Sequence, residues 1–201
     1  MLCHQGCTAT HLYGLHVETT REVLEYGLEQ YRKSLSPERR TLLDRYHVMD
    51  FAQKVVGVGS VGTLCAVVLM MAAEKDWLFL QIKEAKTSVL ETYLCRSVYA
   101  NHGQRVVVAQ HLMQAASDIF LGWCQGHAGR HFYVRQLRDM KIKPLIEQFN
   151  PVTMFDYATL CGRTLARAHA RSGDPAMIAG YMGKSDVFDK AVATFSKAYA
   201  D

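Results

Sequence analysis

The sequence predicts an α+β fold, in which helices and an antiparallel sheet occupy separate parts of the chain. Two segments with helical periodicity come first, mostly β-like runs with one helix follow, and helices close the chain. Such separate blocks are typical of α+β domains rather than of regular strand–helix–strand alternation. Of the 201 residues, 49% are hydrophobic and 21% are charged. This composition excludes wholesale disorder and predicts a chain that buries its own core.

Five helices are expected from apolar periodicity and capping residues. In the first, Val23, Leu24 and Leu28 lie near one face. The second begins at Ser36-Pro37-Glu38, which supplies an N-cap, a proline for the first turn and an acid near the positive helix end. The five ranges are residues 18–34, 36–46, 105–116, 153–170 and 186–199.

Short β-branched and apolar runs predict the strands of the sheet. A turn at residues 73–76 separates two of these runs, and the Gly/His-rich residues 125–129 separate two others. The segment Asp50-Phe51-Ala52 is interpreted as a junction between the second helix and the first strand. The predicted strands are residues 54–56, 63–70, 77–82, 118–123 and 131–137.

A glycine-rich motif of the form GxGxxG follows the first predicted strand, with its glycines at Gly57, Gly59 and Gly62. Residues without a Cβ let the backbone approach a phosphate and point N–H groups at it. Two folds use this spacing in different ways, and each predicts a different structure for the residues that come next.

In a dinucleotide-binding fold the glycines open a helix. Residues 63–75 would form that helix, and Glu84 would be the acid that binds the ribose. The chain would then be a Rossmann-type oxidoreductase. A strand in place of this helix would argue against that alternative.

In a kinase-like fold the glycines connect two antiparallel strands, and a lysine on the next strand reaches the phosphates. Residues 63–70 would be the second strand, and Lys83 would end the third, in the pattern Leu80-Gln-Ile-Lys. The predicted helix at residues 105–116 contains no glutamate to pair with this lysine.

Several runs of the sequence resemble an uncharacterised bacterial family, known as domain of unknown function 2252. The resemblance extends from about Thr20 to Asp201 and leaves out the first dozen or so residues. That family is regarded as similar in fold to protein kinases and aminoglycoside phosphotransferases. The runs that carry the resemblance are KVVGVGSVGT from Lys54, QIKEA from Gln81, QHLMQAASD from Gln110, YVRQLRDMK from Tyr133 and LARAHARSGD from Leu165.

The resemblance implies a nucleotide-binding, N-lobe-like antiparallel sheet with ATP as the cofactor. Gly57, Gly59, Ser60 and Gly62 would cover the nucleotide, and Lys83 would contact its phosphates. The family also carries Gly-Asp-x-His and Asn-Asp-Phe-Asp runs suited to binding metal, and this chain contains neither. Mg²⁺ is therefore expected only if another segment or a partner chain supplies those motifs.

We accordingly expect an incomplete phosphotransferase part that is inactive alone, with a non-catalytic binding remnant as a further alternative. The expected organisation is a loose segment at residues 1–17, a helical segment at 18–48, the nucleotide-binding sheet at 49–143 and a helical segment at 144–201. His169 and Asp174 are weak candidates for an acid/base pair. Gly173 as a helix cap and Asp174-Pro175 as a turn explain the same residues.

Charge and hydropathy give no sign of a nucleic-acid or membrane partner. The net charge is only +4, whereas a dedicated nucleic-acid binder concentrates more positive charge. Residues 55–73 are a charge-free stretch of membrane-spanning length, but the glycines in its first half disfavour a helix. The six cysteines form no CxxC pair, and the first residues do not resemble a signal peptide. We expect reduced thiols and a cytoplasmic protein.

Overall fold

The computed structural model describes residues 17–54, 62–137 and 144–200, with side chains from Arg21 onwards. The chain divides into two compact units. The first comprises residues 1–111 and 116–142, and the second comprises residues 112–115 and 143–201. They are termed the sheet unit and the helical unit.

The sheet unit contains five antiparallel strands in the order β1-β2-β3-β5-β4. β3 and β5 are adjacent in the sheet although β4 lies between them in sequence. Two helices precede the strands, and one lies between β3 and β4. In chain order the elements are α1 (Val17–Ser34), α2 (Pro37–Leu43), β1 (His47–Gln53), β2 (Cys65–Met71), β3 (Trp77–Glu84), α3 (His102–Met113), β4 (Gly122–Gln125) and β5 (His131–Gln136).

The hydrophobic core lies between α1 and one face of the sheet. Tyr31 is fully buried, and its hydroxyl donates a 2.6 Å hydrogen bond to the carbonyl oxygen of Phe120. Val68, Leu80 and Val134 bring fully buried side chains from three adjacent strands. Since these residues alternate with residues of the other face, the core-facing side of the sheet is fixed along each strand.

The buried thiol of Cys124 predicts a loss of stability in alkaline solution. Burial raises the pKa of this thiol from 9.0 to about 12, so the folded protein holds a proton that the unfolded chain releases near pH 9. The stabilisation is fully present below pH 9 and is lost as the pH rises towards 12. We expect the free energy of unfolding to fall by about 1.4 kcal/mol per pH unit in this window from this group alone.

Urea unfolding of the wild type and of Cys124→Val at pH 8, 9 and 10 would measure this slope. The variant is expected to show the shallower dependence, whereas Cys95→Val, which alters an exposed thiol, should match the wild type. Equal slopes in the wild type and in Cys124→Val would contradict the assignment.

The start of α3 packs tightly against β5. The Asn101 side chain caps the helix by accepting hydrogen bonds from the N–H groups of Gly103 and Gln104 at 2.8 and 3.2 Å. A Cβ at Gly103 would lie only 2.1 Å from the carbonyl oxygen of Phe132. The close approach of helix and strand therefore requires glycine at this position.

Replacing Gly103 with alanine is therefore expected to destabilise the sheet unit by about 1–3 kcal/mol or more, because a backbone carbonyl must move to make room. Gly27 in α1 is a matched control, since a Cβ added there would have nothing within 4 Å. Gly27→Ala should gain up to about 1 kcal/mol from helix propensity. Denaturant unfolding of the two variants measures both values. Equal stabilities would contradict the close packing at Gly103.

The helical unit contains α4 (Pro151–Ser172), α5 (Pro175–Met182) and α6 (Val187–Ala200). Asn150 caps α4 by accepting the N–H of Thr153 at 2.8 Å, and Asp174 caps α5. Large apolar side chains of these helices are widely exposed, including Phe155 at 71% and Phe195 at 66%.

The predicted mixed fold with an antiparallel sheet is confirmed, with specific corrections to its elements. β1 covers the segment interpreted as a helix-to-strand junction, and it begins at His47, inside the predicted helical segment 18–48. β4 lies four residues later than the predicted start, and α5 replaces a predicted turn. Of the predicted strand at residues 54–56, Lys54 lies outside any strand and the other two residues lie outside the described ranges.

The structure contradicts the helix that the dinucleotide-binding alternative predicts at residues 63–75. Cys65–Met71 is strand β2, and residues 73–76 form the turn into β3. Among the helices that the structure describes, none combines the length and the apolar character needed to cross a bilayer.

Candidate functional site

Lys83 lies on the face of the sheet opposite the core. Along β3, Leu80 and Ile82 belong to the core cluster, whereas the alternate residues Gln81 and Lys83 point to the other side. We call this side the lysine face. The polar groups of this face share it with apolar side chains such as Val67 of β2, the strand partner of Gln81.

The strand register sets two rows of side chains across the lysine face. Lys83 is paired with Cys65 on β2 and with Tyr133 on β5, and Tyr133 is paired with Trp123 on β4. Directly opposed residues of antiparallel strands point to the same face, so these four side chains form one row. Gln81 is the central member of the next row.

The Gln81 row carries a hydrogen-bonded polar network. Gln81 is only 3% exposed, and its Oε1 accepts hydrogen bonds from Nε and Nη2 of Arg135 at 3.1 and 3.0 Å. The Gln81 amide donates in turn to the sulfur of Cys65 at 3.7 Å. This network holds the Arg135 guanidinium in a fixed position beside the Lys83 row.

Three positive charges converge on this face around Cys65. Burial raises the pKa of the Cys65 thiol, while the charges of Lys83, Lys54 and Arg135 act in the opposite direction. Burial also raises the pKa of Tyr133, and Arg135 opposes that shift. Within the described ranges no carboxylate lies within 4.0 Å of the Lys83 ammonium. The local charge is therefore positive and suited to an anion.

The last glycine of the motif is tied to the same end of the sheet. Gly62 has a φ of +75°, a conformation that favours glycine, and its carbonyl oxygen accepts a 2.8 Å hydrogen bond from Nζ of Lys86. The N–H of Leu64, which directly precedes β2, donates to Oε2 of Glu84 at 2.9 Å. The other predicted members of the motif, Gly57, Gly59 and Ser60, lie outside the described residues.

The Asp174 side chain and the His169 backbone take part in helix ends of the helical unit. The Asp174 carboxylate accepts hydrogen bonds from the N–H groups of Ala176 and Met177 at 2.8 and 3.1 Å, which makes it the N-cap of α5. The carbonyl oxygen of His169 accepts the N–H of Gly173 at 2.8 Å at the end of α4. Among the described contacts, no hydrogen bond joins the two side chains.

An apolar cavity lies on the opposite side of the sheet, between α1 and the strands. Its volume is about 230 Å³, and Leu24, Leu28, Phe51 and Ile82 are among the side chains that line it. The lining is mainly apolar, although Arg130 and His127 also belong to it. The described residues also contain no cluster of three His, Cys, Asp or Glu side chains that would hold a metal ion.

The sequence predicted Lys83 as a phosphate-binding residue, but it did not predict which residues surround Lys83. Lys54, Gln81 and Arg135 lie in three different runs of the sequence that are separated along the chain. The available signal was the alternation on β3 combined with the register of its two neighbouring strands, since that register sets Cys65 and Tyr133 beside Lys83.

Comparisons with known proteins give one clear relationship. A family model described as "Uncharacterized protein conserved in bacteria (DUF2252)" matches residues 3–201. The match includes most of residues 1–17, the segment expected to lie outside the resemblance. No curated protein and no solved structure matches. Because the family model covers nearly the whole length, the chain belongs to this family of bacterial proteins.

Proposed function

We propose that the sheet unit is the nucleotide-binding part of a kinase-like phosphotransferase, with ATP phosphates bound at the lysine face. The observation that carries the proposal is the strand register, which pairs Lys83 with Cys65 and sets Arg135 in the next row. The backbone N–H of Lys54 donates to the Cys65 carbonyl oxygen at 2.8 Å, which brings a third cationic residue to the same place. Converging cations without a neighbouring carboxylate favour a polyanionic ligand, because the ligand supplies the missing negative charge.

The order of elements supports the same function. The glycine motif connects β1 to β2, Lys83 lies on β3, and α3 follows β3 along the chain. A protein kinase uses these parts to cover the phosphates and to bind them through a lysine. The Rossmann-type alternative is not pursued, because β2 occupies the segment where that fold needs a helix.

The catalytic groups missing from this chain support an incomplete enzyme. α3 carries no acidic residue, so it offers no glutamate to pair with Lys83. Phosphoryl transfer also needs carboxylates or amides that bind Mg²⁺. We therefore expect Mg²⁺ to be bound only when a partner chain or a further segment supplies those ligands, and we expect no turnover by this chain alone.

Calorimetric titration with ATP, adenosine and tripolyphosphate tests the proposed ligand. ATP and tripolyphosphate should bind more tightly than adenosine, and their affinities should fall as salt rises, because the contacts are mainly to phosphate. Equal affinity for adenosine and ATP would contradict a phosphate site. Absence of ATP binding at millimolar concentration would overturn the proposal.

A turnover assay with Mg-ATP tests the expected inactivity of the chain. We expect no sustained release of phosphate or ADP above the buffer blank. Robust turnover that is lost in Lys83→Ala would show that the chain is a complete enzyme and would refute this part of the proposal.

A second candidate function is the binding of a partner without catalysis. The observation that favours it is the exposure of apolar side chains on the helical unit, including Phe155, Phe195 and Tyr199. Exposed apolar patches often mark protein interaction sites, so a partner chain or a further segment would complete this unit. If ATP at millimolar concentration fails to raise the melting temperature, the second candidate is favoured.

A further inference from the structure

The apolar cavity between α1 and the strands is a gap in the packing of the sheet unit. Its volume is about 230 Å³. Leu24, Leu28 and Phe51 pack against the core cluster, yet each stays partly exposed where it lines this space. Because protein interiors are normally close-packed, a gap of this size leaves apolar surface in need of an apolar partner.

A glycine in the wall of the cavity keeps this space open. Gly27 lies in α1 and lines the cavity, and a Cβ added there would have nothing within 4 Å. The φ of Gly27 is not positive, so the backbone does not require glycine at this position. The missing side chain weakens the helix and enlarges the cavity.

The cavity is apolar at its inner end and polar at its mouth. Ile82 and Val134 are buried members of the lining and form the inner wall. Gln53, His127 and Arg130 are exposed members, which places them at the solvent end, termed the mouth. None of the described residues that line the cavity is acidic, so Arg130 gives the lining a positive charge.

The turn that carries Arg130 joins β4 to β5 and is held by the main chain. The N–H of Gly126 donates to the carbonyl oxygen of Arg130 at 2.8 Å. A Cβ at Gly126 would lie only 2.6 Å from Cε2 of Phe132, so the turn packs closely onto the core. Because these contacts do not use the Arg130 side chain, that side chain can be changed without opening the turn.

We propose that this cavity binds an apolar monocarboxylate. The tail would fill the space between α1 and the sheet, and the carboxylate would lie at the mouth and accept hydrogen bonds from Arg130 and His127. An engineered apolar cavity of about 150 Å³ binds benzene, so this larger cavity is sufficient for a small alkyl or aryl tail. A neutral molecule would make no charge-assisted contact with Arg130, and a cation would be repelled.

The proposed site is independent of nucleotide binding. Ile82 of β3 faces the cavity, whereas its neighbour Lys83 lies on the lysine face. Lys83→Met should therefore leave binding of the carboxylate unchanged, so that failure of one proposal does not imply failure of the other.

Ligand-observed NMR and calorimetry with octanoate and phenylacetate at millimolar concentration test the proposal. Octanol and phenylethanol are the neutral counterparts, and octylamine and phenethylamine are the cationic ones. At least one carboxylate should bind, and its two counterparts should bind about fivefold more weakly or worse, because each lacks the charge pair at the solvent-exposed mouth.

Filling the cavity tests where the ligand binds. Gly27→Leu should weaken the carboxylate by at least about tenfold without lowering the melting temperature, since leucine favours the helix and enters open space. Gly162→Leu is the matched control, because Gly162 is a glycine of α4 that also has nothing within 4 Å of an added Cβ. Ala66→Val, which adds bulk from β2, is a second cavity-filling variant.

Removing the charge tests how the head group is recognised. Arg130→Gln should weaken the carboxylate by about fivefold and leave the alcohol unchanged, whereas Arg45→Gln, which alters an exposed charge elsewhere, should affect neither. Circular dichroism and the melting temperature of each variant confirm folding.

Four outcomes would overturn the proposal. Neither carboxylate binds, or both cavity-filling variants bind like the wild type. The alcohols bind as tightly as the carboxylates, which would mean that the mouth does not select a charge. The chain self-associates and Gly27→Leu abolishes that association, which would mean that a second copy covers the cavity.

Discussion

Replacing Leu80 with alanine is expected to cost about 2–5 kcal/mol of stability in the sheet unit. Leu80 is 0% exposed in the central strand β3 and is paired with Val68 on β2 and Gln136 on β5. Truncation removes buried methyl groups and leaves a cavity, since the backbone hydrogen bonds on both sides of β3 limit collapse around the site.

Urea unfolding followed by far-UV circular dichroism measures this loss as a lower midpoint with an unchanged slope. Leu94→Ala makes the same chemical change at a side chain that is 67% exposed, and we expect it to stay within about 0.5 kcal/mol of the wild type. Similar effects of the two substitutions would contradict the location of the core between α1 and the sheet.

Replacing Lys83 with methionine is expected to weaken ATP binding by at least about tenfold. Methionine keeps much of the apolar stem of lysine and removes the charge, so the folded sheet should persist. The loss follows from the removal of a cation at the centre of the Cys65–Lys83–Tyr133 row, where a charge-assisted contact to phosphate contributes about 1.5–3 kcal/mol.

Lys33→Met is the matched control, because it removes the same charge at an exposed position in the last turn of α1. Calorimetric titration of both variants with ATP gives the comparison, and the melting temperature of each confirms folding. Lys83→Met should also reduce the salt dependence of binding. An affinity for ATP that is equal in the two variants would mean that Lys83 does not contact the nucleotide.

Much of the sheet could be predicted from local sequence, because β2, β3 and β5 are apolar or β-branched runs bounded by turn residues. β1 was misplaced for a physical reason. Its register shifts between Val48 and Asp50, so its burial does not follow simple alternation, and its pairing with β2 determines that it is a strand. Such pairing is a long-range property that a local pattern does not contain.

The error at α5 has a different origin. Asp174-Pro175 is typical both of a turn and of a helix start, in which aspartate is the N-cap and proline occupies the first turn. Asp174 accepts two backbone N–H groups, so the second interpretation is correct. The capping signal was present in the sequence and was assigned to the wrong structure.

The candidate site was predictable only in part. Lys83 follows from its position at the end of an apolar run downstream of the glycine motif. Arg135 and Lys54 become its neighbours only through the register of four strands, and the Gln81 network that orients Arg135 depends on the same register. The sequence therefore predicted one residue of the candidate site, and the fold added its electrostatic context.

Chemical-shift mapping by NMR during titration with a non-hydrolysable ATP analogue tests the central claim most directly. The proposal predicts that the largest perturbations fall on the lysine face, at Cys65, Lys83, Tyr133 and Arg135, and that they fade in Lys83→Met. Perturbations confined to the apolar cavity lined by Leu24, Leu28 and Phe51, with the lysine face unchanged, would contradict it.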